Sequence, residues 1–222
     1  MHKKIQTVLL LLALAAPLGL RAQEQTGTDI PEDVFYLMPS FSDGYVYLRG
    51  QIPAQGKMNI CAVDNTLRYL DENGTELAAA GTENIVRVQF DTVSFLQSRG
   101  VFYRMYPLSS ELGIALKREV KIIRDVKQGA FGMSSQTSSI REYSSLYTEG
   151  GIYTLNENKT YPYTVSETLF LYRGDSVYIF TKNNLKKLFP EKKTEIEAWF
   201  KAGNSLPQTP ADALALIASW AD

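Results

Sequence analysis

Tyrosine is the residue type whose number and spacing first suggest chemistry. The chain holds 13 tyrosines, and seven of them fall between Tyr143 and Tyr178. Tyr161-Pro162-Tyr163 brackets a proline, while Tyr153, Tyr172 and Tyr178 sit in neighbouring strand-like runs. A row of exposed tyrosine rings can stack on the apolar face of a sugar while the hydroxyls form hydrogen bonds. Tyr153, Tyr161, Tyr163, Tyr172 and Tyr178 are therefore the candidate ligand-binding residues. Tyrosine also suits half-buried strands, so β-structure alone produces the same enrichment.

Carboxylates are the second candidate chemistry. Glu142, Glu149, Glu157 and Glu167 lie among the tyrosines, and two carboxylates at a set separation are what glycoside hydrolysis requires. Sequence spacing does not place any two of them together. Histidine chemistry is excluded more firmly. The only histidine, His2, lies in an N-terminal leader, so the chain beyond it has no Ser-His-Asp triad, no Cys-His pair and no His-based zinc site. The one cysteine, Cys61, cannot form an intramolecular disulfide. It lies in the apolar run Met58–Val63, where a lone cysteine behaves as a small hydrophobe. No Ser-x-x-Lys, Walker or dinucleotide-binding pattern is present. No catalytic residue, metal ligand or cofactor is expected.

The leader has the three parts of a secretion signal. Lys3 and Lys4 form the charged start, Val8–Leu20 is apolar, and Ala22 is the small residue before the cut. No cysteine follows the cut, so export as a non-lipoprotein to the periplasm, cell surface or medium is expected. Removal of the leader leaves 200 of the 222 residues, enough to bury about 70% of the unfolded surface. Three of the 23 basic residues are in the leader, which leaves 20 against 24 acidic ones and a net charge of −4. That balance gives no drive toward nucleic acid. No later run approaches the ~18 apolar residues of a membrane span.

Behind these residues must stand elements that position them. Residues 23–33 are polar and read as a flexible leader. Residues 34–127 alternate with a period near two, as in Tyr45 and Tyr47 against Val46 and Leu48, and predict a β-rich region. Asn73-Gly74 predicts a hairpin turn. Val34–Pro39 echoes Val101–Pro107, as a duplicated sheet unit would. Residues 128–146 hold six serines and read as a loop or boundary. Two hairpins follow. One pairs Ile152–Leu155 with Tyr161–Val165, and the other pairs Leu169–Tyr172 with Val177–Phe180 across Arg173–Ser176. The spacing then turns helical. Thr181 and Thr209 are caps, Pro190 and Pro210 are helix starts, and Gly203 is a stop. Leu185, Leu188 and Phe189, then Ile196, Trp199 and Phe200, then Leu214, Ile217 and Trp220 are the buried faces. A mostly antiparallel β-sheet followed by about three C-terminal helices, an α+β fold, is the expectation. Residues 34–222 can form one domain or two.

The run Thr181-Lys182-Asn183-Asn184-Leu185-Lys186-Lys187-Leu188-Phe189-Pro190-Glu191-Lys192-Lys193-Thr194-Glu195-Ile196 resembles the C-terminal region of uncharacterised secreted proteins of Bacteroidota-type bacteria. The resemblance spans about residues 128–202 and implies export, with no activity to transfer. It also implies O-glycosylation at the Asp-Ser/Thr-aliphatic patterns Asp91-Thr92-Val93 and Asp175-Ser176-Val177, the second in a turn and the first in a less accessible strand. The lysines of this run, with Glu191, Glu195 and Glu197 among them, read as a solvated helix face. Together these features describe an exported, non-enzymatic binding protein whose partner is a glycan or an envelope protein, met by the tyrosine-rich hairpins. An assembly accessory of the envelope and a carboxylate-based hydrolase are the alternatives. Mass spectrometry of the protein from its native host should find an N-terminus near Gln23. An intact Met1 in the membrane fraction would refute cleavage.

Overall fold

The computed structural model describes residues 31–123, 142–143 and 163–221. Residues 23–30 of the polar leader, most of the serine-rich segment and the Ile152–Leu155 arm lie outside them, while Glu32 and Asp33 of the leader begin a helical turn. One antiparallel sheet contains eleven strands: β1 (Ser42–Leu48), β2 (Ala54–Ile60), β3 (Leu67–Leu70), β4 (Glu76–Ala78), β5 (Ile85–Phe90), β6 (Val93–Ser98), β7 (Val101–Pro107), β8 (Leu112–Ile123), β9 (Glu142–Tyr143), β10 (Tyr163–Arg173) and β11 (Ser176–Ile179). The spatial order is β11-β10-β8-β7-β6-β5-β1-β2-β3-β4, with β9 beside the end of β8. After the sheet come α2 (Lys182–Leu188), α3 (Lys193–Lys201) and α4 (Pro210–Ala221), while a single turn, α1 (Glu32–Phe35), precedes it. The fold is α+β, as the patterning predicts.

Alternation puts alternate side chains on opposite faces of each strand. Val46, Met58, Ile60, Val88, Phe90, Phe95 and Phe102 point to one face and form a buried cluster. The sheet curls around this cluster. The Ala62 carbonyl, just past β2, accepts from the Val120 N–H of β8 at 3.4 Å. Leu37 N–H donates to the Ile60 carbonyl at 2.9 Å, so the chain after α1 lies along the same seam.

The helices cover the continuation of that face over β8, β10 and β11. Leu185, Leu188, Phe189, Ile196, Ala213, Ile217 and Trp220 are buried against Leu112, Ile114 and Leu171. The caps are where the sequence puts them. The Thr181 hydroxyl accepts from Asn184 N–H at 3.3 Å, and that of Thr209 from Asp212 N–H at 3.2 Å. Gly203 takes a φ of 83° after α3. The Asn73-Gly74 hairpin also forms. Gly74 has a φ of 78°, and the Asp71 carboxylate accepts from the N–H groups of Asn73 and Thr75 at 2.9 and 2.7 Å.

Four expectations are corrected. The hairpin of Leu169–Tyr172 with Val177–Phe180 forms, with Phe170 opposite Ile179 and Arg173 opposite Ser176, but Tyr161–Val165 is not a strand apart from it, because residues 163–173 form the single strand β10. Ser166-Glu167-Thr168 between the two runs has no Gly, Pro, Asn or Asp to force a turn, and its backbone stays paired with Glu119, Arg118 and Lys117 of β8. The echo between Val34–Pro39 and Val101–Pro107 has no structural counterpart. Val34 and Phe35 lie in α1, whose first turn starts after Pro31, whereas Val101–Pro107 is a strand. On α4 the fully buried positions include Ala213 rather than Leu214, which is half-buried. On α3, Ile196 is fully buried, while Trp199 and Phe200 are half-buried and pack edge-to-face on each other at 4.9 Å. The C-terminal anchors are therefore Ile196 and Trp220. Trp220→Ala should cost about 3–5 kcal/mol and Trp199→Ala clearly less. Guanidinium midpoints of the two variants test this order, and equal midpoints would refute it.

Candidate functional site

The sheet separates the expected tyrosine row. Tyr163 is 2% exposed and Tyr172 1% exposed, so neither ring is free to stack on a ligand. Tyr163 belongs to the cluster formed by Val34, Cys61, Ala62, Val63 and Val120. Tyr172 lies on the opposite face of β10 and packs with Leu96 and Ala115. Tyr178 is half-buried beside the helices, with the Lys187 ammonium 5.3 Å from its ring centroid. Tyr153 and Tyr161 lie outside the described residues. The correction has a simple cause: residues 163 and 171 point to one face of the strand and 172 to the other, into three separate clusters, so density along the sequence did not become density on a surface.

Other aromatic residues meet on the face of the sheet turned away from the helices. Tyr45 and Tyr47 alternate with the inward Val46 on β1, and Tyr45 is 46% exposed. Tyr47 pairs with Arg87 on β5, whose guanidinium lies 4.6 Å from the Tyr47 ring centroid. Arg87 pairs with Leu96 of β6, and Leu96 with Tyr103 of β7. Tyr103 meets Phe170 of β10 edge-to-face at 5.1 Å. The opposed pairs, with the Tyr103–Phe170 contact reaching over Ala115 of β8, produce a band that crosses β1, β5, β6, β7, β8 and β10. Burial raises the Tyr103 hydroxyl pKa. Tyr172 lies within the same face. Its hydroxyl is enclosed and has no hydrogen-bond partner among the described residues. Burial raises its pKa, Glu111 adds to the shift and Arg87 opposes it. Gly113 makes room for it, since a Cβ there would meet the Tyr106 carbonyl and come within 2.7 Å of the Tyr172 ring. The sequence signal for Tyr45 and Tyr47 was the period-two alternation. Nothing local predicted that Tyr103 and Phe170 would join them.

Cys61 is completely buried, as its apolar run predicts. Around it lies a network of charged groups. Arg68 Nη2 donates to Asp64 Oδ2 at 2.6 Å and Nε to the Thr66 hydroxyl at 2.7 Å. Arg68 Nη1 lies 3.9 Å from Glu76, and the Tyr36 hydroxyl donates to Glu76 at 2.8 Å. Burial, and then the Asp64 charge, push the Cys61 thiol from 9.0 up to about 12. A thiol held neutral is a poor nucleophile.

The remaining candidates are quickly placed. Of the four glutamates only Glu167 has a described side chain, and it is exposed, 4.0 Å from Arg118. Among the described residues no three His, Cys, Asp or Glu side chains group to hold a metal. Lys186 pairs with Glu197 at 2.8 Å and Lys192 with Glu195 at 3.7 Å, while Lys182 lies 5.5 Å from the Phe200 ring centroid. The lysines are thus engaged locally. Both potential acceptor hydroxyls are on exposed residues. Thr92 is in the two-residue turn between Phe90 and Val93, not within a strand as expected, and Ser176 begins β11. No helix among the described residues is long and apolar enough to cross a membrane.

No family profile matches the chain, and neither does any curated protein or solved structure.

The thiol shift has a consequence for alkaline stability. The folded state holds Cys61 neutral, whereas the unfolded chain ionises it above about 9.0. Its contribution is therefore complete below that pH and lost as pH rises toward about 12. Cys61→Ala should lose less stability than the parent chain over this range, as followed by urea midpoints. Rapid alkylation of the folded protein at neutral pH would contradict the burial of the thiol.

Proposed function

We infer that this is an exported, non-enzymatic binding protein that holds a glycan against the aromatic band on the sheet face turned away from the helices. The observation that carries this reading is the convergence of Tyr45, Tyr47, Tyr103 and Phe170 from three strands onto the face opposite the helices. Aromatic rings offer a flat apolar surface to the C–H face of a sugar. Gln89 lies directly opposite Tyr45, and Arg87 opposite Tyr47, so hydrogen-bonding groups alternate with the rings. The secretion-type leader and the resemblance of residues 128–202 to secreted proteins support export. Tyr163, Tyr172 and Tyr178 leave the proposal as direct contacts.

An affinity-electrophoresis series over neutral and acidic polysaccharides tests this function. At least one polysaccharide should retard the mature protein. Replacing Tyr45 and Tyr47 together by alanine should weaken that binding tenfold or more, about 1.4 kcal/mol, with an unchanged Tm. Retardation by none, or retention of full binding in the double variant, would sink the proposal.

A further inference from the structure

The inner face of the sheet opens at one place into an apolar cavity of about 250 Å³. Val46 and Leu48 of β1, Met58 of β2, Leu67 of β3 and Ile85 of β5 supply its walls. Four of these belong to the buried core, so the cavity is a continuation of the hydrophobic interior. No charged residue lines it, and its polar residues are Gln55 and Tyr69. The apolar surface extends past the mouth. Leu77 of β4 lies directly opposite Tyr69, so both side chains share one face of the sheet, and both are more than a third exposed.

Gly56 explains why the space exists. It lies on β2 among the lining residues, paired with another glycine, Gly44 of β1. A glycine inside a strand weakens it and often marks a bulge or a close approach by a ligand or another backbone. Neither a bulge nor a backbone contact accounts for this one. The β1–β2 register runs through it without a shift. Its φ is not positive, and a Cβ there would meet only the tip of Met58, at an ordinary 3.6 Å. A larger side chain would fit the strand and occupy the cavity. The residue present leaves it open.

We propose that this cavity is a binding site for an unbranched alkyl chain, with the chain's polar end at Tyr69, which lies opposite the inward Met58, whereas Gln55, opposite Tyr45, belongs to the other face. A cavity of ~150 Å³ with similar walls holds benzene, so on the same scale this one has room for about ten carbon atoms. An aliphatic chain matches walls without charge, and a flexible one can enter through a mouth on the open end of the sheet. The site lies on the inner face, apart from the outer aromatic band, and does not depend on glycan binding. The same alkyl chemistry can come from a free single-chain amphiphile or from the acyl chains of a bilayer lipid.

Titration of the mature protein with decanol and with decanoic acid, followed by methyl NMR, tests the site. Phosphatidylcholine vesicles in a flotation assay provide the lipid arm. Saturable shifts are expected at Val46, Leu48, Met58, Leu67 and Ile85, with little change at Ile114 and Ile217 beneath the helices. Gly56→Val should fill the cavity, keep or raise the Tm, and weaken binding at least tenfold. Ala80→Trp, an exposed position on the lining, blocks the mouth should the valine variant misfold. Binding of decanol or decanoic acid without flotation identifies a free amphiphile, and flotation lost in the blocked variant identifies a lipid. Absence of both, equal shifts in the two cores, or undiminished binding by a folded blocked variant would overturn the proposal.

Discussion

Strand β8 pairs with β10 through eleven consecutive residues, from Leu112 opposite Arg173 to Ile122 opposite Tyr163, while its first half also pairs with β7. Both of its faces are occupied. Leu112 and Ile114 lie under the helices, and Ala115 lies beneath the aromatic band. Gly113 between them lets the Tyr172 ring cross the strand. Helices, aromatic face and curled core thus refer to one ladder, and a side chain at residue 113 would disturb all three.

Charge is handled differently on the two sides of the molecule. Near Cys61 the Arg68, Asp64, Glu76 and Tyr36 side chains answer one another. Removal of one partner from so enclosed a pair would leave an uncompensated charge, a loss of about 3–5 kcal/mol. They tie the segment after α1 to β3 and β4. On the face turned away from the helices, by contrast, Arg87 has a ring for company and the Tyr172 hydroxyl has no partner among the described residues. Satisfied polar groups hold structure, whereas an enclosed hydroxyl without a partner costs stability where it sits.

The fold was legible wherever the information was local. Asn73-Gly74, Thr181, Gly203 and Thr209 each carry their own backbone chemistry, and each does in the structure what its type predicts. The alternation around Val46 correctly marked a strand with one wet face. What failed depended on distant partners. Ser166-Glu167-Thr168 reads as a break, yet β8 holds it straight. Trp199 reads as an anchor, but Trp220, 21 positions later, takes the deeper place. The tyrosine cluster suggested a surface because sequence density looks like proximity. The aromatic band instead assembles from Tyr45, Tyr47, Tyr103 and Phe170, whose meeting depends on register across six strands. The alkyl cavity was equally silent, because a small residue at position 56 announces space only once its neighbours are placed.

The β8–β10 ladder also sets an order of events. Strands β5 to β8 form a meander of neighbours, but the partner that completes β8 arrives between 41 positions later, at Tyr163 for Ile122, and 61 positions later, at Arg173 for Leu112. Such distant closure is slow compared with hairpin formation. A chain emerging from its N-terminus can therefore close β5 to β7 while β8 still lacks one neighbour and its helical cover. In that interval the longest strand of the sheet presents an open edge and the bare Leu112 and Ile114 to other chains, the condition under which strands pair wrongly. Arrival of β10 and the helices ends this vulnerability, so segments made after β8 protect the middle of the molecule from its own copies.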